Sequence, residues 1–233
     1  MGQDPVVIPA PGLRVLGLLG GVGCGKTTVA RKLAAELPAE HLDADATVAE
    51  LLRQPELGLV IEKEFGQGLR DAQGGLDRAA LGALIFADEE ARKRLEELLH
   101  PRVRQAFYQR LAAWEARPQA TWVVLDVPLL LEGGLAQVCD WLLFIEAEDS
   151  LRCARACRRH GWDQATWRAR EQAQWPLSKK REAADAILCN GSDPQRLALG
   201  LQELLPTIRA LLPRPLRDRW PHWDQAPNPR SPS

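Results

Sequence analysis

The chain of 233 residues has no surplus of charge of either sign. Thirty lysines and arginines stand against 31 aspartates and glutamates, a formal net charge of -1. Domains that grip nucleic acid by its backbone carry a basic excess, so composition argues against that class. No apolar run is long enough to cross a bilayer. Residues 1–12 lack the charged start and apolar core of a secretory signal. Cysteine is sparse: Cys24, Cys139, Cys153, Cys157 and Cys189 are odd in number and show no zinc-site spacing. All five are expected to be reduced thiols, and the protein is expected to be soluble and cytoplasmic, with no nucleic-acid or membrane partner. Internal repeats are absent. What is present, 45% hydrophobic and 26% charged residues, suits one globular domain or one core with an inserted subdomain.

Pro5, Pro9 and Pro11 mark an irregular start. Order is expected from Arg14-Val15-Leu16-Gly17-Leu18-Leu19, an apolar run of the buried parallel-strand kind. A glycine-rich turn and a helical pattern over 27–37 follow. A short second strand ends at His41-Leu42-Asp43-Ala44-Asp45 and leads into a helix near 48–53. From Pro55 to Arg117 the spacing is helical throughout, with helices expected over 79–86, 89–99 and 103–116 and with His100-Pro101 between the last two. Strands return at 121–126, 141–145 and 186–189, and a helix spans 194–212. Residues 213–233, rich in proline, read as a disordered tail, although Trp220 and Trp223 are unusual there. Strands alternating with helices predict a parallel α/β sheet, with its ligand site at the carboxyl ends of the strands.

The strongest signal is Gly20-Gly21-Val22-Gly23-Cys24-Gly25-Lys26-Thr27, which satisfies G-x-x-x-x-G-K-[ST] at every position. Glycines let the backbone wrap a phosphate with its N–H groups inward, and the helix that follows adds its positive end. Lys26 would meet the β- and γ-phosphates of ATP, and the Thr27 hydroxyl would coordinate Mg²⁺. An accidental match somewhere in a chain of this glycine content is on the order of 1%. The expected fold is a three-layer P-loop NTPase fold with a parallel sheet, a helical insertion and an arginine-rich lid. No Asn-Lys-x-Asp run reads guanine, which speaks against a GTPase.

Asp43 and Asp45 follow the second strand. One could orient or deprotonate an acceptor hydroxyl, or simply cap the next helix, and spacing alone leaves both readings open. Asp126 ends an apolar strand, as an acid holding Mg²⁺ through water would. Arg152, Arg155, Arg158, Arg159, Arg168 and Arg170 crowd 150–180; a solvated basic face competes with a lid that carries cations to the transferring phosphoryl. Trp162, Trp167 and Trp175 are read as packing.

The opening Gly17-x-x-Gly20 to Thr27, followed by Asp43-Ala44-Asp45, resembles that of dephospho-CoA kinases. Further matches keep the same order: Leu84-Ile85-Phe86, Leu95-Glu96, His100-Pro101, Asp126-Val127-Pro128-Leu129-Leu130-Leu131-Glu132, Arg155, Arg159, Arg170, Gln174, Lys180, Ala184-Asp185 and Asn190-Gly191. The resemblance covers Leu16 to about Leu205, within a domain placed at 13–212. It implies transfer of phosphoryl from ATP to the ribose 3′-hydroxyl of dephospho-CoA, the last step of CoA synthesis. It further implies that Asp45 lies beside that hydroxyl, that Lys26 and Arg159 act with it in catalysis, and that 47–117 forms a CoA-binding insertion. Nucleotide contacts are expected from Gly21, Val22, Gly23, Cys24, Gly25, Lys26, Thr27, Thr28, Arg155 and Arg170, and metal contacts from Thr27 and Asp126. Gln174 and Asn190 would touch adenine or the lid. Another small-molecule P-loop kinase, such as a nucleoside monophosphate kinase, or a non-catalytic ATP-binding regulator, would share the cradle. Cys24, Leu19 and Cys189 depart mildly from the family pattern.

Overall fold

The computed structural model describes residues 11–66, 68–71, 73 and 75–221. The expected extension before residue 11 and Trp223 lie outside them. The described chain divides into a sheet unit, 11–42 with 111–221, and a helical unit, 43–110.

In the sheet unit, β1 (Gly12–Leu19) is flanked by β3 (Ala120–Asp126) and β4 (Trp141–Glu146), with β5 (Ala186–Cys189) outside β4 and β2 (Glu40–Asp43) outside β3. β1 pairs in parallel with β3, from Gly12 opposite Ala120 to Gly17 opposite Leu125, and with β4, from Leu16 opposite Trp141 to Leu19 opposite Phe144. Every residue of β1 after Gly12 is buried. A strand covered on both faces needs a continuous apolar run rather than an alternating one, which is what 13–19 supplies. Helices α1 (Lys26–Glu36) and α9 (Pro194–Arg209) bring Val29, Ala30, Leu33, Leu197, Leu201, Leu205 and Ile208 onto Leu16, Leu18, Val124, Leu143 and Ile145 of the sheet. The chain leaves β1 towards β2 and β3 on one side and later takes up β4 and β5 on the other. The carboxyl end of β1 is therefore the switch point at which α/β sheets bind ligands.

Between β4 and β5 lie α6 (Asp149–His160), α7 (Gln164–Gln172) and α8 (Leu177–Glu182). Helix α6 stops at Gly161, which takes the left-handed conformation at φ 69° and donates its N–H to Cys157 O. Asp163 caps α7 by accepting the Thr166 N–H. Asp193 caps α9 in the same way, ahead of Pro194 in the first turn.

The helical unit holds α2 (Ala44–Leu51), α3 (Pro55–Phe65), α4 (Arg78–Ala87) and α5 (Glu89–Glu115) as far as Arg110. Leu51, Leu57, Ile61, Leu69, Leu81, Leu95 and Leu99 form its core. Its bounds, 43–110, differ from the expected 47–117 because α2 starts directly after β2.

Two expectations need correction. Helices foreseen over 89–99 and 103–116 are one helix, α5, which runs through Pro101. Proline removes one N–H from the ladder, but a long helix secured at both ends tolerates that loss, and Arg102 Nη1 donates to Leu98 O (2.7 Å) beside the gap. Of the tail foreseen as disordered over 213–233, residues 213–221 pack on the sheet unit, and the rest lies outside the described residues. Leu216 is buried, and Arg214 and Arg219 reach back to Asp140 and to backbone carbonyls at the amino end of the sheet. Proline-rich composition conceals a buried cation, Arg219, an exposed one, Arg214, and one apolar anchor.

Candidate functional site

The glycine-rich turn leaves β1 at its carboxyl end and enters α1 at Lys26. Gly23 (φ 82°) and Gly25 (φ 92°) take the left-handed backbone that turns the loop back on itself. Space is as restrictive as torsion: a Cβ on Gly23 would strike the Arg152 carbonyl, and one on Gly25 would strike the Asn190 amide. Lys26 Nζ lies 3.1 Å from Gly20 O, 3.3 Å from Gly21 O and 3.8 Å from Cys24 Sγ, so its ammonium rests against the loop. Cys24 is wholly buried.

Asp126, at the end of β3, is buried beneath the loop. Burial alone would raise its pKa, but contacts with the His41 and Thr27 side chains and the charge of Lys26 outweigh it and hold the carboxyl below its ordinary range. His41 Nε2 sits 3.5 Å from Asp126 Oδ2. The first residue of α1 after the lysine and the acid at the end of the neighbouring strand thus meet. An ionised carboxylate and a hydroxyl are hard oxygen donors, the ligand type that suits Mg²⁺.

The arginines separate into distinct environments. Arg152, read as part of either a solvated basic face or a lid, is buried: Nη1 donates to Glu171 Oε1 (2.6 Å) and Val22 O (3.3 Å), and Nη2 to Asp149 Oδ1 (2.7 Å). Burial would lower its pKa, but those two carboxylates raise it. Arg155 donates to Asn190 O (2.9 Å) and Gly191 O (2.6 Å), fixing the turn after β5. Arg170 lies over the Trp162 ring at 4.3 Å, and His160 stacks on the same indole. Arg158 and Arg159 are exposed in the last turn of α6. A cavity of about 330 Å³ opens beside Gly21, lined among others by Ile145, Glu146, Arg152 and Arg181.

In the helical unit Asp43 takes the capping role, its Oδ1 accepting Ala46 N–H (3.0 Å) at the start of α2. Asp45 stands exposed in the first turn of that helix, with no part in the cap. His100 is exposed on α5.

Asn190, expected to touch adenine or the lid, is buried. Its Nδ2 donates to Cys24 O (2.7 Å), a buried tie between the turn after β5 and the glycine loop. Gln174 Oε1 accepts from Lys180 Nζ (2.8 Å), which also pairs with Glu132 (3.0 Å). Trp167 does more than pack: its Nε1 donates to Val22 O (3.2 Å). Glu171, whose Oε2 accepts the Val22 N–H (2.7 Å), was not singled out from sequence at all. The only trace was spacing, since Trp167 and Glu171 are four apart on one face of α7.

The family model described as dephospho-CoA kinase matches residues 14–195. A dephospho-CoA kinase of Geobacillus kaustophilus is 38% identical over 199 residues, 84% of this chain and 97% of its own length. One of Methylococcus capsulatus is 41% identical over 181 residues, 77% of this chain and 88% of its own. The crystal structure of a Thermus thermophilus protein superposes with a TM-score of 0.65 at 32% identity, covering 85% of this chain and 98% of that one.

Proposed function

We propose residue roles on one premise: the chain belongs to the dephospho-CoA kinase family and is an ATP-dependent enzyme of that kind. It transfers the γ-phosphoryl of ATP to the ribose 3′-hydroxyl of dephospho-CoA, giving ADP and coenzyme A. The observation that carries the nucleotide half of the reading is the joined state of the site. The glycine loop, Lys26, Thr27 and an ionised Asp126 converge at the switch point of the sheet.

The Val22 N–H is taken by Glu171, so backbone N–H groups from Gly23 to Thr28 would cradle the phosphates, and Lys26 would leave its loop carbonyls for the β- and γ-oxygens. Thr27 and Asp126 would hold Mg²⁺, which would supply positive charge to those same oxygens. Asp45 is assigned to the acceptor. Its carboxylate accepts or orients the 3′-hydroxyl proton as that oxygen bonds to the γ-phosphorus and the bond to the β-bridging oxygen breaks. Asp43 is spent on the cap, whereas Asp45 stands exposed in the first turn of α2. Arg159 is assigned to the transferring phosphoryl because it makes no hydrogen bond or ion pair among the described residues, whereas Arg155 holds the turn after β5 and would contact the nucleotide from there. Arg170, stacked on Trp162, covers the nucleotide from α7. The helical unit takes the CoA moiety. The cytoplasm is the compartment we assign: the described cysteines are all free thiols, and no described helix is long and apolar enough to cross a membrane.

The test is an assay of the purified protein with Mg-ATP and dephospho-CoA, locating the new phosphate on the product. Phosphate on the ribose 3′-oxygen supports the reading. Transfer to a nucleoside monophosphate but not to dephospho-CoA would sink it, as would nucleotide binding with no acceptor turned over.

A further inference from the structure

Both peptide units that meet at Val22 are held by residues outside the glycine loop. Its N–H is donated to Glu171 Oε2 (2.7 Å). Its carbonyl accepts from Trp167 Nε1 (3.2 Å) and Arg152 Nη1 (3.3 Å). The three holding side chains also hold one another. Arg152 Nη1 is 2.6 Å from Glu171 Oε1, and the guanidinium carbon lies 5.3 Å from the centre of the Trp167 ring. Arg152 is 2% exposed and is fixed from its other side by Asp149. The backbone leaves this group no slack: a Cβ on Gly21 would collide with the guanidinium, and one on Gly23 with the Arg152 carbonyl.

The usual roles in a phosphate loop do not account for this. Glu171 carries a negative charge and faces a loop built to receive phosphate. A carboxylate there opposes nucleotide binding unless its charge is neutralised, and Arg152 neutralises it at hydrogen-bond distance. What is left is orientation. The Val22 N–H belongs to the peptide unit shared with Gly21 and its C=O to the unit shared with Gly23, so two successive units are each pinned at one end beside the residues freest to let them flip. A flip of the second unit would exchange the Gly23 N–H for the Val22 carbonyl and repel the β-phosphate.

We infer that Arg152, Trp167 and Glu171 are positioning residues: a clamp on the two peptide units that meet at Val22, which keeps the first half of the phosphate loop in its nucleotide-receiving form and fastens α6 and α7 to it. None of the three touches a reacting atom. The clamp also divides the 150–180 segment. Its α7 end is anchored at the loop, so closure over nucleotide is left to the exposed last turn of α6, where Arg158 and Arg159 stand.

The inference rests on the proposed nucleotide site, and the experiment separates the two. Titrate wild type, Glu171→Gln, Glu171→Ala and Trp167→Phe with Mg-ATP by calorimetry, then measure KM for ATP and for dephospho-CoA separately. Each variant's fold is checked by circular dichroism. Failure of the wild type to bind ATP sinks the site reading itself. With binding established, the clamp predicts about ten-fold weaker ATP binding in Glu171→Ala, a smaller loss in Glu171→Gln, which keeps an acceptor for the N–H, and a loss of several-fold in Trp167→Phe. KM for dephospho-CoA should stay within two-fold, roughly the scatter of such constants. Wild-type ATP affinity in folded Glu171→Ala overturns the clamp. So does tighter binding, which would make Glu171 a competitor of phosphate. If the alanine variant fails to fold, the glutamine and phenylalanine variants decide the matter by the same criterion.

Discussion

Asp140→Ala should be among the most destabilising single substitutions in the sheet unit and yet leave catalysis alone. Asp140 Oδ2 accepts the Val15 N–H (2.8 Å), Oδ1 accepts Arg214 Nε (2.8 Å), and Arg219 Nη1 donates to Oδ2. Arg219 also donates to Val138 O (2.8 Å) and Leu13 O (3.1 Å). The two side chains are 3% and 1% exposed, so neither can turn to water. Truncating Asp140 leaves a buried guanidinium with carbonyl dipoles but no counter-ion. Removing one partner of a buried pair costs about 3–5 kcal/mol, a large part of the roughly 5–15 kcal/mol that holds a domain together. At roughly 2–4 °C per kcal/mol for a chain of this size, the thermal midpoint should fall by roughly 6–20 °C.

Arg219→Ala should cost less, because Asp140 keeps Val15 and Arg214 as donors. In the double variant no uncompensated charge remains, so its loss should be smaller than the sum of the two single losses. Thermal unfolding followed by circular dichroism gives all three numbers. Leu13 and Gly20 are separated by roughly 23 Å of strand at about 3.3 Å per residue, so kcat and both KM values should match wild type below the transition. A midpoint drop under about 3 °C for Asp140→Ala, or strictly additive losses, would refute the reasoning and return 213–221 to the status of a loosely attached tail.

Lys26→Ala should lower kcat by roughly a hundred-fold or more in a steady-state kinase assay, since it removes a charge aimed at the transferring group; near-normal turnover would discard the assignment. Asp45→Asn should lower kcat by roughly 10²–10⁴-fold with little change in KM for ATP if the carboxylate takes the proton, and a wild-type rate would strip Asp45 of that role. Asp163, hydrogen-bonded first by the Thr166 side chain and then by its N–H, titrates below the ordinary carboxylate range. A folded-state pKa depressed in this way stabilises above the unfolded value of about 3.9 and ceases to as pH falls through the folded one. Asp163→Ala should therefore lower the melting temperature at pH 7, with a gap that closes as pH drops below about 4; a gap constant with pH would contradict the capping account.

The parts of this fold legible in the sequence are those in which a residue's role depends on its near neighbours. Residues 14–19, 121–126 and 141–145 are apolar without alternation because each strand is covered on both faces, and their spans lie within a residue or two of β1, β3 and β4. The glycine loop was legible at every position because backbone torsion and the following helix dictate it. Pro101 misled because a local rule, that proline ends helices, yielded to the rest of a 27-residue helix. The segment 213–221 misled because composition says nothing about Asp140, a partner far back in the chain. Spacing left Arg152 among arginines that could form either a solvated face or a lid, and only the fold reveals that it is buried between Asp149 and Glu171.

That last case changes how the loop's glycines are understood. A phosphate-binding turn is ordinarily explained from the ligand's side: glycines allow N–H groups to approach an anion closely. In this chain Gly21 and Gly23 lie against Arg152, and Gly25 against the Asn190 amide, so each must lack a side chain before any nucleotide arrives. Asn190 holds the loop at the Cys24 carbonyl, Arg152, Trp167 and Glu171 hold it at Val22, and Thr27 meets Asp126 on the strand beside it. A loop fixed at these points has surrendered its conformational entropy to folding rather than to binding. The cost of ordering it is met by contacts of the protein with itself, which leaves the interactions with phosphate free to appear as affinity and as stabilisation of the transferring group.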